Sequence, residues 1–306
     1  MNATWRGHSG FGLAGLLLVL ALLCGTAQAQ VIVTVNGNVA HADISLTSGL
    51  NTYEGEVTIE FDSPTNLTVP NLNFQAQLIN PSDPLLAARL PLGVAVDPAF
   101  PVLITIEPVT IERIFASSME RNETGDGNLR FRNAYYMEIH THELVYAPGT
   151  PYRVFKAPVG GAFYDITADV ANGSVRGRGR SGGFSQFLLV KDTRPELIGL
   201  PGLGVPVIAL LKVTELELRI VAALLDNVLR LELGALLTNV QLALIVLDYG
   251  TAISQLDQMI LRIEQEAGTG IPNVWRSQRD LVNDAGDLDG LARSLRYSIQ
   301  RLNGGP

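Results

Sequence analysis

Hydrophobic and polar residues follow two different periods along this chain, and the period changes near Pro195. Up to that point apolar residues recur at every second position. Turn-forming residues interrupt them every eight to twelve residues or so, which is typical of a β-sandwich or barrel. This part of the chain predicts an antiparallel β-sandwich domain over residues 30–195.

The first hairpin shows the pattern most clearly. Residues 31–35 alternate in the manner of a strand, and Asn36 and Gly37 then tolerate the positive φ that a type I′ turn requires. Prolines fall between the later apolar runs, where they remove no hydrogen bond from a sheet. Further strands are predicted at residues 56–61, 72–79, 102–107, 129–131, 135–146, 153–156, 163–169, 174–180 and 184–191.

Beyond Pro195 the spacing of apolar residues becomes that of helices. Residues 195–206 contain three prolines and three glycines, so we interpret residues 196–206 as a linker. Residues 207–306 then predict four helices with short connections, the pattern of an antiparallel helical bundle. Two apolar stripes at helical spacing are formed by Leu211, Leu218, Val221, Leu225 and Val228, and by Ile253, Leu256, Ile260 and Ile263.

The other two predicted helices differ from these. Residues 231–247 are apolar almost all round, which predicts the most buried helix of the group. A last helix is predicted over residues 274–302, after the Gly- and Pro-containing break that ends at Pro272. The fold class expected from the sequence is therefore a multidomain β plus α protein.

The first 29 residues have the features of a secretory signal peptide. Arg6 precedes an apolar run at residues 13–24, and Ala27-Gln28-Ala29 is a small-x-small cleavage site. The run is too short to span a bilayer, and no uninterrupted run of eighteen apolar residues occurs later in the sequence. We therefore expect cleavage near Ala29, a mature chain without a transmembrane segment, and a secreted or periplasmic location.

Composition narrows the classes of function. The one cysteine, Cys24, lies in the predicted signal peptide, so the mature chain has no thiol for a disulfide or a nucleophile. The net charge of −8 argues against nucleic acid as the main partner. The S-x-x-K motif and Gly-rich phosphate loops are absent from the sequence. We expect a protein that is not an enzyme and needs no cofactor.

Two segments resemble known modules of secreted bacterial proteins. Residues 249–256 (YGTAISQL), Ile260, Ile263 and the AGTGIP turn at residues 267–272 resemble the FIMAH-type helical module. Residues 163–167 (FYDIT), 173–175 (GSV) and 183–189 (GFSQFLL) are similar to the closing strands of ZU5-type and Ig-like sandwich domains. The resemblance implies an uncharacterised secreted family in which both parts serve as structural or interaction modules.

His140 and His142 are the sharpest local feature of the predicted sheet. Residues two apart on a strand share a face, so the two imidazoles could bind one metal ion. A third ligand is missing: His41 and Asp43 have the same spacing, but the sequence does not bring their strand to this one. The alternative is a pair of histidines on an exposed strand face, and that interpretation is the favoured one.

Three arginines repeat on another predicted strand. Arg176, Arg178 and Arg180 alternate with glycine, so their guanidinium groups share one strand face. Such a row could bind a sulfated, uronic or phosphorylated glycan, because guanidinium groups match those anions. The favoured alternative is a solvated outer face that protects the sheet against pairing with another strand.

These observations favour an exported, non-enzymatic protein that binds, displays or supports a structure, with an unknown ligand. Its partner would be a cell-surface or extracellular glycan or protein, and the helical module could associate with itself. One alternative is a metal-binding protein or metal-dependent hydrolase that uses His140 and His142. The other is an anionic-glycan-binding module that uses Arg176, Arg178 and Arg180.

Overall fold

The chain forms two antiparallel β-sheets in its N-terminal part and four long helices in its C-terminal part. The computed structural model describes residues 28–109, 128–171, 173–199 and 204–304. Most of the predicted signal peptide lies outside these residues, and the first strand begins at Gln28. The prediction of a mixed protein with strands first and helices last is confirmed.

Thirteen strands and six helices make up the described residues. The strands are β1 (Gln28–Asn36), β2 (Val39–Ser48), β3 (Asn51–Thr65), β4 (Phe74–Leu78), β5 (Val94–Val96), β6 (Val102–Ile106), β7 (Arg130–Thr141), β8 (Tyr152–Ala157), β9 (Tyr164–Asp165), β10 (Thr167–Ala171), β11 (Val175–Ser181), β12 (Gln186–Asp192) and β13 (Val274–Arg276). The helices are α1 (Val69–Leu72), α2 (Pro84–Ala87), α3 (Val207–Ala222), α4 (Asn227–Ile245), α5 (Tyr249–Glu266) and α6 (Asp284–Leu302).

The first hairpin turns one residue later than predicted. Asn36 pairs with Val39, which leaves Gly37 and Asn38 as the two loop residues. Gly37 has a φ of 61°, whereas Asn38 is not among the residues with positive φ. Glycine alone at the first loop position is the preference of a type II′ turn, so the predicted type I′ turn is wrong.

The two sheets share one hydrophobic core. Sheet A has the order β1-β2-β3-β7-β11-β10, and sheet B has the order β4-β6-β12-β8-β9 with β5 paired to β12. Side chains from both sheets meet in a single buried cluster that includes Ile59, Tyr135, Val154 and Phe187. Sheet B is buried on its second face as well, where Phe155, Leu188 and Val190 belong to another cluster. Burial on both faces explains the unbroken apolar run in β12.

The helical part of the sequence contributes a strand to sheet A. Residues 274–276 form β13, which pairs with residues 130–132 of β7. Trp275 stacks on Phe131 inside the core that the two sheets share. The prediction of a helix from residue 274 is therefore wrong, and α6 begins ten residues later, at Asp284. A buried tryptophan between two less buried neighbours, Val274 and Arg276, follows the period of a strand rather than that of a helix.

Burial among the helices is also distributed differently from the prediction. The α4 helix was expected to be the most buried, but Leu231, Leu242 and Ile245 are all more than half exposed. The α6 helix is far more enclosed, with twelve buried residues against six in α4. Among the described residues, α4 is also the one helix long and apolar enough to cross a membrane, although one face of it packs into the helical core.

The predicted stripe of α3 lies on the wrong side of that helix. Leu211, Leu218 and Val221 are more than half exposed, while Val213, Leu216 and Ile220 are buried. Both sets have helical spacing, because α3 carries apolar residues around most of its circumference. Periodicity alone therefore could not select the face that packs against the other helices.

Helix α6 lies directly against strand β11. A Cβ atom on Gly290 would lie 2.3 Å from the carbonyl oxygen of Arg180, and one on Gly286 would lie 2.7 Å from the Cα of Gly182. Two glycines four residues apart thus present a flat face of the helix to the strand. This close approach brings the helices and the two sheets together at one junction.

Candidate functional site

His140 and His142 lie at a shallow cleft on the outer face of sheet A. Their rings are 4.5 Å apart, centroid to centroid. The strand register places Asp43, Glu56, His140 and Arg176 side by side across β2, β3, β7 and β11. The sheet therefore makes the link between the Asp43 strand and the histidine strand that the sequence could not establish. We call the space beside these side chains the histidine cleft.

The histidine cleft has a volume of about 290 Å³ and an acidic lining. His140 is buried, and its two ring nitrogens hydrogen-bond to Glu56 at 3.2 Å and to Ser174 at 3.0 Å. His41 lies in the next row and hydrogen-bonds to Thr58 and Asp43. Among the described residues, no group of three or more histidine, cysteine, aspartate or glutamate side chains could hold a metal ion. The metal site on His140 and His142 stays a prediction that rests on two ligands.

The three predicted arginines have three different surroundings. Arg178 donates to Glu138 at 2.7 Å and to Asp169 at 2.9 Å, so carboxylates occupy its guanidinium group. Arg180 donates from Nε to Asp289 of α6 at 3.0 Å. The Nε of Arg176 is buried and has no hydrogen-bond partner among the described residues. The predicted row for an anionic glycan is thus divided, and Arg180 belongs to the junction with the helices.

A larger cleft lies at that junction, and we call it the junction cleft. Its volume is about 350 Å³, and residues of sheet A, sheet B, α3 and α6 form its walls. The lining residues are Pro158, Tyr164, Ile166, Arg180, Ser181, Glu215, Leu218, Arg219, Ala222, Asp287 and Leu291. The cleft thus combines an apolar wall with ionisable groups from several elements, which is the usual composition of a ligand site.

A buried polar network forms one end of the junction cleft. Lys156 donates to the Ser181 hydroxyl at 2.5 Å, and that hydroxyl donates to Asp287 at 2.9 Å. Asp287 also accepts the backbone N–H of Gly182 and an ion pair from Arg219. Although burial alone would raise it, the nearby Lys156 and Arg219 charges lower the pKa of the Asp287 carboxyl. Asp287 therefore stays ionised and fixes the network at the start of α6.

A second buried ion pair lies beside the cleft. The Nζ atom of Lys212 is 2.7 Å from Asp165 and also donates to the hydroxyl of Ser294. Burial favours the neutral form of Asp165, but the Lys212 ammonium outweighs it and lowers the pKa of that carboxyl. The pair links α3, β9 and α6 at one point, so it holds two walls of the junction cleft in position.

Glu215 is the ionisable residue of this cleft that lacks a cationic partner. It makes no hydrogen bond or ion pair with another described residue, although it lies one helical turn from Lys212. Burial raises the pKa of the Glu215 carboxyl to about 7, and the Lys212 charge only partly offsets that effect. Burial also raises the pKa of the neighbouring Tyr164 hydroxyl, which therefore stays neutral. Glu215 is the group whose charge changes near neutral pH.

Two guanidinium groups of the cleft keep unused donors. The Nε of Arg219 is buried and has no hydrogen-bond partner among the described residues. Arg180 binds Asp289 through Nε, and its two terminal nitrogens have no partner within the described part of the chain. An unpaired buried donor costs free energy, and an anionic ligand oxygen would remove that cost.

Sequence reasoning missed Glu215 and Arg219, although the sequence holds a signal for them. Lys212, Glu215 and Arg219 are separated by three and four residues, so they form a polar stripe on an otherwise apolar helix. A polar stripe on such a helix is commonly solvated, and in α3 it faces the sheets instead. The sequence did not reveal which partner α3 packs against, so it could not distinguish these two cases.

Comparison with known proteins gives a family but no activity. No curated protein and no solved structure matches the chain. The model of DUF6689, a family of unknown function, matches residues 17–303, which is nearly the whole chain. The chain therefore belongs to the DUF6689 family.

Proposed function

We propose that this chain is an exported, non-enzymatic binding protein whose junction cleft holds a small anion that carries an apolar group. This proposal rests on one observation: arginine donors without a hydrogen-bond partner and an apolar wall line the same cleft. Arg180 and Arg219 supply the donors, and Leu218, Ala222 and Leu291 supply the apolar contacts. A carboxylate, sulfate or phosphate head with a short aliphatic or aromatic body has the matching chemistry.

The size of the junction cleft also supports a small ligand. Its volume of about 350 Å³ lies at the lower end of the range of roughly 300–1,000 Å³ found for small-molecule sites. The histidine cleft is smaller, and three of the side chains that line it are carboxylates, Asp43, Glu54 and Glu56. Repulsion by these carboxylates disfavours an anion there, which makes the junction cleft the better site for this class of ligand.

The hydroxyl network favours binding over catalysis. A serine beside a lysine is an arrangement that some hydrolases use for nucleophilic attack. Here the Ser181 hydroxyl donates its proton to Asp287, and Lys156 donates to the Ser181 oxygen. The group that accepts the serine proton is a carboxylate with a lowered pKa and is therefore a weak base, and the Ser181 side chain is buried. Ester hydrolysis by purified protein that is lost in Ser181→Ala would overturn the non-enzymatic part of the proposal.

The finer architecture and the location belong to the same proposal. We infer that the two sheets form a β-sandwich of the ZU5 or Ig-like type and that α3, α4, α5 and α6 form an antiparallel bundle of the FIMAH type. The shared core of the sheets and the common buried cluster of the four helices support this arrangement. Export rests on residues 1–29, whose features are those of a cleaved signal peptide.

Calorimetric titration with benzoate, a small aromatic carboxylate, tests the ligand proposal. Wild-type protein is compared with Leu218→Glu, which places a carboxylate in the junction cleft. The matched control is Leu261→Glu. It makes the same substitution at a leucine that is also exposed on a helix but lies outside the cleft. We expect benzoate to bind wild type and the control alike and at least tenfold more weakly to Leu218→Glu.

Two results would contradict this assignment. Equal affinity of wild type and Leu218→Glu would show that benzoate binds elsewhere. Absence of binding to wild type by benzoate, hexanoate and phenyl phosphate would remove small amphipathic anions as the ligand class. Circular dichroism of each variant serves as the folding check, since all of these substitutions are at exposed positions.

A further inference from the structure

Helix α4 has two apolar faces, and one of them has no partner among the described residues. Its core face packs into the helical cluster through Leu229, Leu233, Leu237, Val240 and Leu244. The opposite face is exposed along the whole helix. The residues of that face are Val228, Leu231, Ala235, Thr238, Leu242 and Ile245, and we call them the α4 seam.

The spacing of the α4 seam is that of a coiled coil. Its six residues are separated alternately by three and four positions, which is the a and d pattern of a heptad. The core face of the same helix is less regular, with steps of four, four, three and four residues from Leu229 to Leu244. A regular heptad on a solvent-exposed face is the pattern that a second helix requires for knobs-into-holes packing. The seam has the length of α4, which is roughly 28 Å.

The order of side chains along the seam favours an antiparallel partner of identical sequence. When two copies of α4 lie antiparallel about a two-fold axis at the middle of the helix, Val228 faces Ile245 of the second copy, and Leu231 faces Leu242. Ala235 then faces Thr238, so the small side chains meet at the centre and the large ones at both ends. The sizes of the side chains follow the same order from either end of the seam. The seam is therefore self-complementary, as an interface with two-fold symmetry requires.

The exposed apolar area is sufficient for a stable dimer. Arg230 donates to the carbonyl oxygens at the end of α3, which places Val221 and Leu224 beside the first turn of α4. The large apolar side chains more than half exposed along this surface are Val221, Leu224, Val228, Leu231, Leu242, Ile245 and Val246. At roughly 60–120 Å² for each fully buried side chain, they supply on the order of 400 Å² per copy. The smallest stable interfaces bury about 1,200 Å² in total, which corresponds to roughly 340 Å² of apolar area per partner.

We propose that the α4 seam binds the α4 seam of a second copy of this chain in an antiparallel, two-fold arrangement. This interface is separate from the junction cleft, because no seam residue lines that cleft. It leaves the cleft of each copy open and gives a dimer with two ligand sites.

Sedimentation velocity over a concentration series tests the dimer. Wild type is compared with Leu231→Glu, which buries a carboxylate opposite Leu242 of the second copy, and with the control Leu261→Glu on α5. We expect wild type and Leu261→Glu to be dimers and Leu231→Glu to be a monomer with an unchanged circular dichroism spectrum. A monomeric wild type at high concentration would overturn the proposal, and so would an unaltered dimer in Leu231→Glu.

Cysteine crosslinking tests the orientation of the two helices. Because Cys24 is the one native cysteine, its replacement leaves the introduced cysteines as the only thiols that can crosslink. In a Cys24→Ser background, the variants Val228→Cys and Ile245→Cys are oxidised separately and as a mixture. We expect a disulfide-linked dimer from the mixture and little from either variant alone. Crosslinking of Val228→Cys with itself would instead indicate parallel packing and overturn the arrangement.

A membrane is the competing occupant of this surface, and one further measurement separates it from a second copy. Wild-type protein is sedimented with vesicles of phosphatidylcholine and phosphatidylglycerol. The proposed dimer buries the seam, so we expect no cosedimentation. Vesicle binding that is lost in Leu231→Glu, together with a monomer in solution, would assign the seam to lipid and overturn the dimer.

Discussion

The ammonium nitrogen of Lys212, on α3, lies 2.7 Å from a carboxylate oxygen of Asp165, on β9, and both side chains are buried. The same ammonium group donates to Ser294 on α6. One buried cation therefore joins two helices to sheet B. Together with β13 in sheet A and the close contact of α6 with β11, it makes the helices and the sheets interdependent.

Removing the carboxylate of this pair should destabilise the whole protein. Asp165→Asn leaves the Lys212 ammonium buried without an opposite charge, and we expect a loss of about 3–5 kcal/mol in the free energy of unfolding. The control is Asp257→Asn, since Asp257 pairs with Arg296 at an exposed position and should cost less than about 1 kcal/mol. Urea unfolding at pH 7 measures both, and equal losses would show that the buried pair has no special role.

Glycine at position 290 should be required for the contact between α6 and β11. Gly290→Ala places a Cβ atom 2.3 Å from the Arg180 carbonyl oxygen, so the helix must move away from the strand. We expect a loss of about 1–3 kcal/mol from this overpacking. Gly234→Ala is the control, because open space surrounds Gly234 in α4 and alanine favours a helix by about 0.5–1 kcal/mol.

The same thermal or urea unfolding experiment decides between two outcomes. The structure predicts that one glycine-to-alanine change destabilises the protein and that the other stabilises it. A stabilising effect of Gly290→Ala would mean that α6 does not approach β11 as closely as described.

Glu215 should make the stability of the protein depend on pH near neutrality. Its pKa is raised from 4.5 to about 7 in the folded protein, so the folded state binds a proton more tightly than the unfolded chain does. This contribution to stability is fully present below pH 4.5 and is lost as the pH rises toward 7. We expect Glu215→Gln to gain about 3 kcal/mol relative to wild type between pH 4.5 and pH 8.

Urea unfolding of both proteins at a series of pH values measures that difference. Glu217→Gln is the matched control, because Glu217 is exposed on the same helix and does not line the junction cleft. Its stability should follow wild type at each pH. A constant difference between Glu215→Gln and wild type across the range would show that the carboxyl titrates normally.

The N-terminus of the exported protein provides a test of location. The small-x-small site at residues 27–29 predicts cleavage after Ala29, so the exported chain should begin with Gln30. N-terminal sequencing or intact mass spectrometry of the protein from the extracellular or periplasmic fraction measures this directly. An intact chain that begins with Met1 in the cytoplasmic fraction would contradict export.

The sequence predicted the order of strands and helices but not their burial. Alternation along residues 31–35 and the regular turns correctly indicated strands, because one face of sheet A is buried and the other is polar. In α3 and α4 apolar residues surround the helix, so helical spacing fits the exposed Leu218 as well as the buried Leu216. The face that packs is decided by α6 and the sheets, which are distant in the sequence.

The candidate sites show the same limit. His140 lies on β7 as predicted, whereas His142 lies one residue beyond the end of that strand; their rings are still 4.5 Å apart, and the register of sheet A then added Asp43 and Glu56. The sequence did not predict the junction cleft, because residues as far apart in the chain as Pro158 and Leu291 form its walls. Charged residues on an isolated helix show their importance only when the surface that buries them is known.

The most direct test of the proposed function is the pH dependence of benzoate binding at the junction cleft. Above pH 7 the ionised Glu215 carboxylate should repel the ligand's carboxylate, which stays charged throughout the range from pH 5.5 to 8.5. Calorimetric titration should therefore show affinity at least about threefold weaker at pH 8.5 than at pH 5.5, a difference of roughly 0.6 kcal/mol. The dependence should disappear in Glu215→Gln and persist in Glu217→Gln. Affinity that does not change with pH in wild type, or that changes equally in Glu215→Gln, would contradict the assignment of the junction cleft as the anion site.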